Sequence, residues 1–149
     1  MRAVVQRVSK GSVAIGGEVV AQIGRGMVIL LGVGQGDDEA AAVWLADKIA
    51  FMRLFEDEAG KTNLSALDVG GGVIVVSQFT LYADTSRGRR PGYSYAAKPD
   101  LAEPLLRRFI ELLAGHGLPV QKGVFGADML VEIHNDGPLT ILLDSPKAS

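Results

Sequence analysis

The stretch Ser77-Gln78-Phe79-Thr80 holds the residue types best suited to chemistry in this chain. Two hydroxyls and a carboxamide follow directly on an apolar run, where a buried strand would carry aliphatic side chains and each buried polar group needs a partner. Backbone N–H groups here could hold a developing oxyanion, and Thr80 could act as a nucleophile or position a water molecule. Such a site suits an activated ester. The residues alone leave open a structural alternative, in which the hydroxyls satisfy neighbouring backbone groups.

Conventional acids, bases and metal ligands are scarce elsewhere. His116 and His134 fall in different predicted elements without a partner at ligand spacing, so the sequence does not support a metal hydrolase. A serine triad lacks its nucleophile-elbow motif. The chain has no cysteine, which excludes a thiolate site, a cysteine nucleophile and a disulfide framework. We therefore expect neither a metal nor another cofactor.

A second notable stretch is Asn135-Asp136-Gly137-Pro138, between two predicted strands. These residue types are ordinary for a hairpin turn. A Gly-Pro bond can also be cis, which would aim two successive carbonyl oxygens in the same direction. The sequence leaves both interpretations open.

The first stretch is positioned by a predicted strand, Val73 to Val76. This β-branched run is short and follows Gly70 to Gly72, which favours a strand buried on both faces. Apolar spacing predicts helices over residues 37–53 and 100–114. Further strands are predicted at residues 3–8, 12–15, 18–20, 27–31, 120–125, 129–134 and 139–143. The expected fold class is α+β, a mostly antiparallel, barrel-like sheet with two main helices packed on it.

Composition limits the function classes. The chain has 149 residues, of which 48% are hydrophobic and 21% charged, so we expect a single domain over residues 1–149. The formal net charge of −2 argues against a grip on long nucleic acid. Residues 84–95 nevertheless form a basic, aromatic loop that suits RNA contact, or is a solvated surface. Without a secretory or membrane-spanning run, we expect a cytoplasmic protein.

The two polar stretches together carry a family resemblance. Ser77-Gln78-Phe79-Thr80-Leu81 and Asn135-Asp136-Gly137-Pro138-Leu139-Thr140 closely resemble the SQFTL and NxGPxT signatures of the D-aminoacyl-tRNA deacylases. Both occur in this order and separation in a chain of this length, which makes the match highly specific. The resemblance extends over nearly the whole chain and leaves only the tail after Leu143 particular to this protein.

The resemblance implies a homodimeric enzyme that hydrolyses the ester between a D-amino acid and the 3′-terminal adenosine of tRNA, without a cofactor or a membrane. Ser77, Gln78, Phe79 and Thr80 would form the catalytic stretch, and Phe125 and Met129 would hold the terminal adenine.

The resemblance also implies a device for chiral selection that is shared between subunits. Gly137-Pro138, with a cis bond, would enter the partner's pocket, capture the substrate's amino group through its carbonyls and leave no room for an L side chain. Glycine has no side chain, so glycyl-tRNA mischarged on tRNA-Ala is an expected further substrate.

Two other functions are compatible with these residues. One is an achiral aminoacyl-ester editing hydrolase, which would treat D- and L-aminoacyl-tRNA alike. The other is a non-catalytic RNA-end or DNA-associated binding module that uses the basic loop and shows salt-sensitive binding without turnover.

Overall fold

The chain is organised around one curved, mixed sheet. The computed structural model describes residues 1–147. The strands are β1 (Arg2–Ile15), β2 (Glu18–Ile23), β3 (Gly26–Gly32), β4 (Phe55–Glu56), β5 (Thr62–Leu64), β6 (Gly72–Ser77), β7 (Val120–Lys122) and β8 (Leu130–Asp144). The helices are α1 (Glu39–Phe51), α2 (Ala66–Val69), α3 (Pro99–Gly115) and a short 3-10 helix (Phe79–Tyr82).

The sheet has six strands in the order β2-β1-β3-β6-β7, with β8 along the other side of β1. β1 pairs antiparallel with β2, β3 and β8, whereas β6 is parallel to both β3 and β7. The strands at the two ends of this order, β2 and β7, nearly meet. The Gln121 side chain of β7 accepts a hydrogen bond from the Gln22 N–H of β2 (2.8 Å) and donates one to the Gln22 carbonyl (2.9 Å). The predicted α+β class with a barrel-like sheet and two main helices is confirmed.

The sheet is covered by apolar residues on both faces. On one face α1 and α3 pack over β1, β3 and β6, and the cluster includes Leu45, Ile49, Phe109, Val73 and Val75. On the other face a smaller cluster includes Val8, Val13, Val28, Ile74 and Val76. β6 alternates between the two clusters, as predicted for a strand buried on both faces.

Gly26 and Gly72 let β3 and β6 lie together at their first residues. A Cβ built on Gly26 would lie 1.8 Å from the Gly72 carbonyl oxygen, which no side chain could tolerate. Glycine at this point therefore reflects a close approach of two backbones.

The largest departure from the predicted elements concerns residues 135–138, for which the hairpin interpretation is wrong. β8 continues through them, and it pairs with β1 both before and after these residues. Gln6 lies opposite Thr140, and Val8 lies opposite Asn135. Arg7 alone therefore faces the four residues 136–139, which form a large, irregular bulge. β1 is likewise one strand instead of the two predicted.

Smaller differences concern the ends of elements. The predicted strand over residues 120–125 ends at Lys122, and α2 and the 3-10 helix were not predicted. The last two residues of the predicted 1–149 domain lie outside the described residues. None of the helices described over residues 1–147 is long and apolar enough to cross a membrane.

Candidate active site

A cavity of about 670 Å³ opens where β6 ends. Ser77, Gln78 and Phe79 line it, together with the first turn of α3 and the segment between β7 and β8. Its volume is in the range of small-molecule sites. The structure thus brings three of the predicted catalytic residues to one concave surface.

The backbone turns sharply at the cavity. Ser77 is still paired with Leu31 of β3, and the Gln78 N–H donates to the Leu31 carbonyl at 2.8 Å. The chain then enters the 3-10 helix, whose first N–H groups have no partner within the helix. Within the described residues, the N–H groups of Phe79 and Thr80 form no backbone hydrogen bond. They are the donors that this turn offers to a developing negative charge.

Thr80 lies beside the cavity and does not line it. Its hydroxyl oxygen accepts a hydrogen bond from the Gln78 side-chain amide, which is a neutral donor. A nucleophilic hydroxyl needs a base to take its proton, and no basic side chain bonds to Thr80 in the described part of the chain. The Gln78 amide therefore orients the Thr80 hydroxyl but cannot take its proton.

Arg2 anchors the far end of the 3-10 helix. Its Nη1 donates to the Leu81 carbonyl at 2.9 Å, and its Nε donates to Asp144 at 2.7 Å. The Tyr82 ring lies under this guanidinium, 5.1 Å from it. Burial, with Asp37 next in importance, raises the pKa of the Tyr82 hydroxyl well above its usual range. Tyr82 therefore stays protonated and serves as packing.

Phe125 and Met129 also line the cavity. Both were predicted to contact the substrate, and they face the same space as the Ser77–Phe79 turn. Phe79 is 54% exposed, and its ring meets the Tyr93 ring edge to face at 5.0 Å between centroids. The two rings form an aromatic rim suited to a flat heterocycle.

Three further polar side chains line the cavity: Tyr93, Lys98 and Asp128. Tyr93 belongs to the loop predicted to suit RNA contact, whereas Lys98 and Asp128 were not among the predicted site residues. They come from two connections, residues 83–98 and residues 123–129. Tyr93 lies within the basic loop, Lys98 directly precedes α3, and Asp128 is adjacent to the predicted Met129. Adjacency to Met129 is the one signal that could have drawn attention to Asp128.

Gly137 and Pro138 do not line this cavity. They are exposed, their peptide bond is cis, and Gly137 borders a separate cavity of about 190 Å³. Strand pairing puts Ser77 level with Ala3 of β1, whereas the bulge lies opposite Arg7. Four residues of a strand span about 13 Å, so the two predicted groups lie at different heights on the sheet of one chain.

Arg7 holds the bulge in place. It is 9% exposed, and it donates to the Asp136 carbonyl at 3.0 Å and to the Leu54 carbonyl at 2.7 Å. The Asn135 side chain donates to the carbonyls of Arg7 and Leu139, both at 2.9 Å. Every one of these bonds ends on a main-chain oxygen, so they fix the backbone path around Gly137.

Neither histidine lines the cavity. His116 lies 2.7 Å from Asp47 at the end of α3, and His134 lies 3.9 Å from Glu132 on β8. Among residues 1–147, no three histidine, aspartate or glutamate side chains are grouped as metal ligands.

Comparisons with known proteins agree with one another. The family model for D-Tyr-tRNA(Tyr) deacylase matches residues 4–144. A D-aminoacyl-tRNA deacylase of Symbiobacterium thermophilum is 60% identical and one of Fervidobacterium nodosum 56%; each alignment covers 99% of this chain and 97% or 99% of the relative.

Two solved structures share the fold. One is a c-Myc DNA Unwinding Element Binding Protein, 41% identical, with a TM-score of 0.92 over 98% of this chain and 99% of that chain. The other is a probable eukaryotic D-amino acid tRNA deacylase, 16% identical, with a TM-score of 0.81 over 96% of this chain and 98% of that chain.

Proposed function

The chain belongs to the D-Tyr-tRNA(Tyr) deacylase family, and from this we propose that its cavity hydrolyses the ester bond between a D-amino acid and the 3′-terminal adenosine of tRNA, in the cytoplasm. The observation that carries the proposal is the turn after β6, where two unpaired N–H groups stand beside a cavity of suitable size. An aminoacyl ester is activated, so stabilising its oxyanion supplies much of the catalysis required.

In the proposed reaction, a water oxygen attacks the ester carbonyl carbon. Negative charge moves to the carbonyl oxygen and is held by the N–H groups of Phe79 and Thr80. The bond to the ribose 3′ oxygen then breaks. The proton of the attacking water passes through the adjacent ribose 2′-OH to that leaving oxygen, so the free amino acid and intact tRNA result. We assign this relay to the substrate because the ribose 2′-OH adjoins the ester that breaks, and because the Thr80 hydroxyl is bonded to the neutral Gln78 amide.

Recognition of the terminal nucleoside is assigned to Phe125 and Met129. Both line the cavity, and a thioether and an aromatic ring both suit the face of an adenine. Ser77 and Gln78 then lie beside the ester. This arrangement is supported by the shared cavity.

For chiral selection we propose that Gly137-Pro138 acts on the cavity of a second copy in a homodimer. The pair is exposed, does not line its own chain's cavity, and sits on β8, an edge strand of 15 residues paired on one side only within the described chain. The unpaired N–H and C=O groups of such an edge can pair with another chain. Main-chain carbonyls would bind the substrate's amino group and exclude an L side chain by fit. Glycyl-tRNA mischarged on tRNA-Ala would pass, since glycine has no side chain to exclude.

The test of activity is release of D-tyrosine from D-tyrosyl-tRNA by the purified protein, with L-tyrosyl-tRNA as the control. Hydrolysis of the D ester with the L ester spared supports the proposal. Equal hydrolysis of both would identify an achiral editing hydrolase. Salt-sensitive binding without turnover would identify a nucleic-acid-binding module, the role that one structural relative's name suggests for that relative.

The test of the second copy uses two variants whose defects lie in different places. Ala127→Trp fills the cavity and leaves Gly137 intact, whereas Gly137→Ala leaves the cavity open. Alone, the first should be inactive and the second should hydrolyse L-tyrosyl-tRNA. A large excess of Ala127→Trp protein then pairs each open cavity with an intact Gly137 from the other copy, so discrimination should return.

The control for this mixture is an excess of the double variant, which has neither an open cavity nor an intact Gly137 and should restore nothing. If discrimination does not return with Ala127→Trp protein, or if the native protein is a monomer in solution, selection is made within one chain and the cross-subunit proposal is wrong.

A further inference from the structure

The loop between the 3-10 helix and α3 contains a hairpin that is closed by backbone hydrogen bonds. Asp84 and Gly92 exchange two backbone hydrogen bonds at its base, of 2.7 and 2.9 Å. The Asp84 carboxylate also accepts from the Ser86 N–H at 3.0 Å. Hydrogen bonding to the Ser86 side chain first, and to its N–H second, lowers the pKa of that carboxyl. A loop closed in this way presents its tip in a defined place, at lower entropic cost to a ligand.

Three arginines occupy the tip: Arg87, Arg89 and Arg90. All three are exposed, and none forms an ion pair with any residue between 1 and 147. The chain as a whole carries a formal charge of −2. Three unpaired guanidiniums on one short loop therefore make a local positive site on a slightly acidic protein.

The hairpin stands directly beside the candidate active site. Gly92 closes its base and the next residue, Tyr93, lines the cavity and contacts the Phe79 ring. The chain beyond is held to the loop after β3, because the Gln35 N–H donates to the Tyr95 carbonyl and the Ala97 N–H donates to the Val33 carbonyl, both at 2.9 Å. The base of the hairpin is thus fixed relative to the cavity.

We propose that Arg87, Arg89 and Arg90 bind backbone phosphates of the RNA strand whose 3′ end lies in the cavity. The inference rests on the proposed function and extends it from the aminoacyl end to the nucleic acid behind that end. Guanidinium pairs with phosphate through two parallel hydrogen bonds, which makes arginine suited to this contact. An exposed Tyr95 beside the hairpin adds an aromatic surface on which a base can stack.

The reach of the hairpin matches the strand that it would meet. Its tip is at most four residues from its base, or about 14 Å when fully extended. A stacked nucleic-acid strand rises about 3.4 Å per phosphate, so the length of the hairpin corresponds to roughly four nucleotides of the bound strand. The contacts would therefore fall on the last few nucleotides before the terminal adenosine, and they carry no base preference.

The experiment compares native protein with the Arg87→Gln, Arg89→Gln, Arg90→Gln triple variant on D-tyrosyl-tRNA at rising salt. Each phosphate contact contributes about 0.7–0.9 to the slope of log kcat/KM against log salt, so three contacts contribute about 2–2.7. Native kcat/KM should accordingly fall about 20- to 40-fold more than that of the variant between 50 and 200 mM salt. The change should appear in KM, with kcat retained.

A matched control replaces three exposed cations away from the cavity: Lys48→Gln, Arg53→Gln and Lys61→Gln. It removes the same total charge and should leave the salt slope unchanged. A second measurement uses D-tyrosyl ester on the terminal adenosine alone, where the hairpin has no phosphate to bind and the tip variant should match the native protein.

Equal salt slopes for native and tip variants on tRNA would overturn the inference, as would an equal loss in the control variant. Binding of uncharged tRNA separates this result from failure of the proposed function. If the native protein releases no D-tyrosine, the proposed function is wrong. If it releases D-tyrosine while the tip variant binds uncharged tRNA as tightly as the native protein, only the hairpin inference is wrong.

Discussion

Replacing Gly137 by alanine should disturb the bulge through Arg7. Gly137 has φ of 126°, which an L side chain rarely adopts, so strain alone costs about 1–3 kcal/mol. The new Cβ would also lie 2.7 Å from Arg7 Nη2. That guanidinium is held by the carbonyls of Leu54 and Asp136, so moving it loses a charged hydrogen bond of about 1.5–3 kcal/mol. The total is roughly 2.5–6 kcal/mol.

Gly60 provides a matched control for the strain. It also has positive φ, of 75°, but nothing lies within 4 Å of its Cβ position. Gly60→Ala should therefore cost backbone strain alone. In thermal unfolding, Gly137→Ala should lower Tm by about 3–12 °C more than Gly60→Ala, since 1 kcal/mol corresponds to about 2–4 °C at this size. Discrimination between D- and L-tyrosyl-tRNA should fall for Gly137→Ala alone.

A double-mutant cycle isolates the contribution of Arg7. In an Arg7→Met background the guanidinium is absent, so Gly137→Ala should cost only its strain. The coupling between the two positions should be about 1.5–3 kcal/mol in urea unfolding. Additive costs within about 0.5 kcal/mol would refute the view that Arg7 places the bulge.

Three further outcomes are expected. Thr80→Ala should keep turnover within a few-fold of native, because no base activates this hydroxyl; abolished turnover with a trapped aminoacyl ester would establish a covalent route. Asp84→Asn should remove the stabilisation that the ionised Asp84 carboxylate gives the folded protein. That stabilisation is present above the usual carboxyl pKa and is lost as pH falls through the lowered pKa of this group. The Tm values of native protein and variant should therefore differ at neutral pH and converge in acid. Arg2→Met removes the donor to the Leu81 carbonyl and should lower kcat about three- to tenfold with KM retained, whereas an unchanged kcat would show that the 3-10 helix needs no such anchor.

The sequence predicted best the elements with strong periodicity. Val73 to Val76 were recognisable as a doubly buried strand because β-branched residues in a short run favour that environment and glycines precede it. α3 was recognisable from its apolar stripe, which includes Leu105, Phe109 and Leu113. These features are local, so local reasoning was sufficient.

Pairing between distant segments was not predictable in the same way. Asn135 to Pro138 have strong turn preferences, yet β8 continues through them because β1 supplies partners on both sides. Local preference is weaker than a long ladder of hydrogen bonds. Lys98 and Asp128 were not assigned to the site for a related reason: each is an ordinary polar residue until the fold brings its loop to the cavity.

The two main-chain features of the proposed site are both placed by β1. Arg2, near its start, bonds to the Leu81 carbonyl and so holds the 3-10 helix whose first N–H groups are the proposed oxyanion donors. Arg7, five residues later, bonds to the Asp136 carbonyl and so holds the bulge that carries Gly137. Five residues of a strand span about 17 Å, a length that a paired strand cannot change without losing register.

A constant spacing matters because backbone groups cannot adjust by rotating a side chain. In the proposed symmetric dimer, the bulge of each copy must reach the cavity of the other copy. Any shift of the bulge relative to the cavity within one chain is then added to the distance between the bulge and the partner's cavity. Placing both features on a single strand keeps that shift small. A substrate distinguished by fit alone demands such rigidity, since a shift of about 1 Å at the reacting carbonyl can cost roughly a hundredfold in rate.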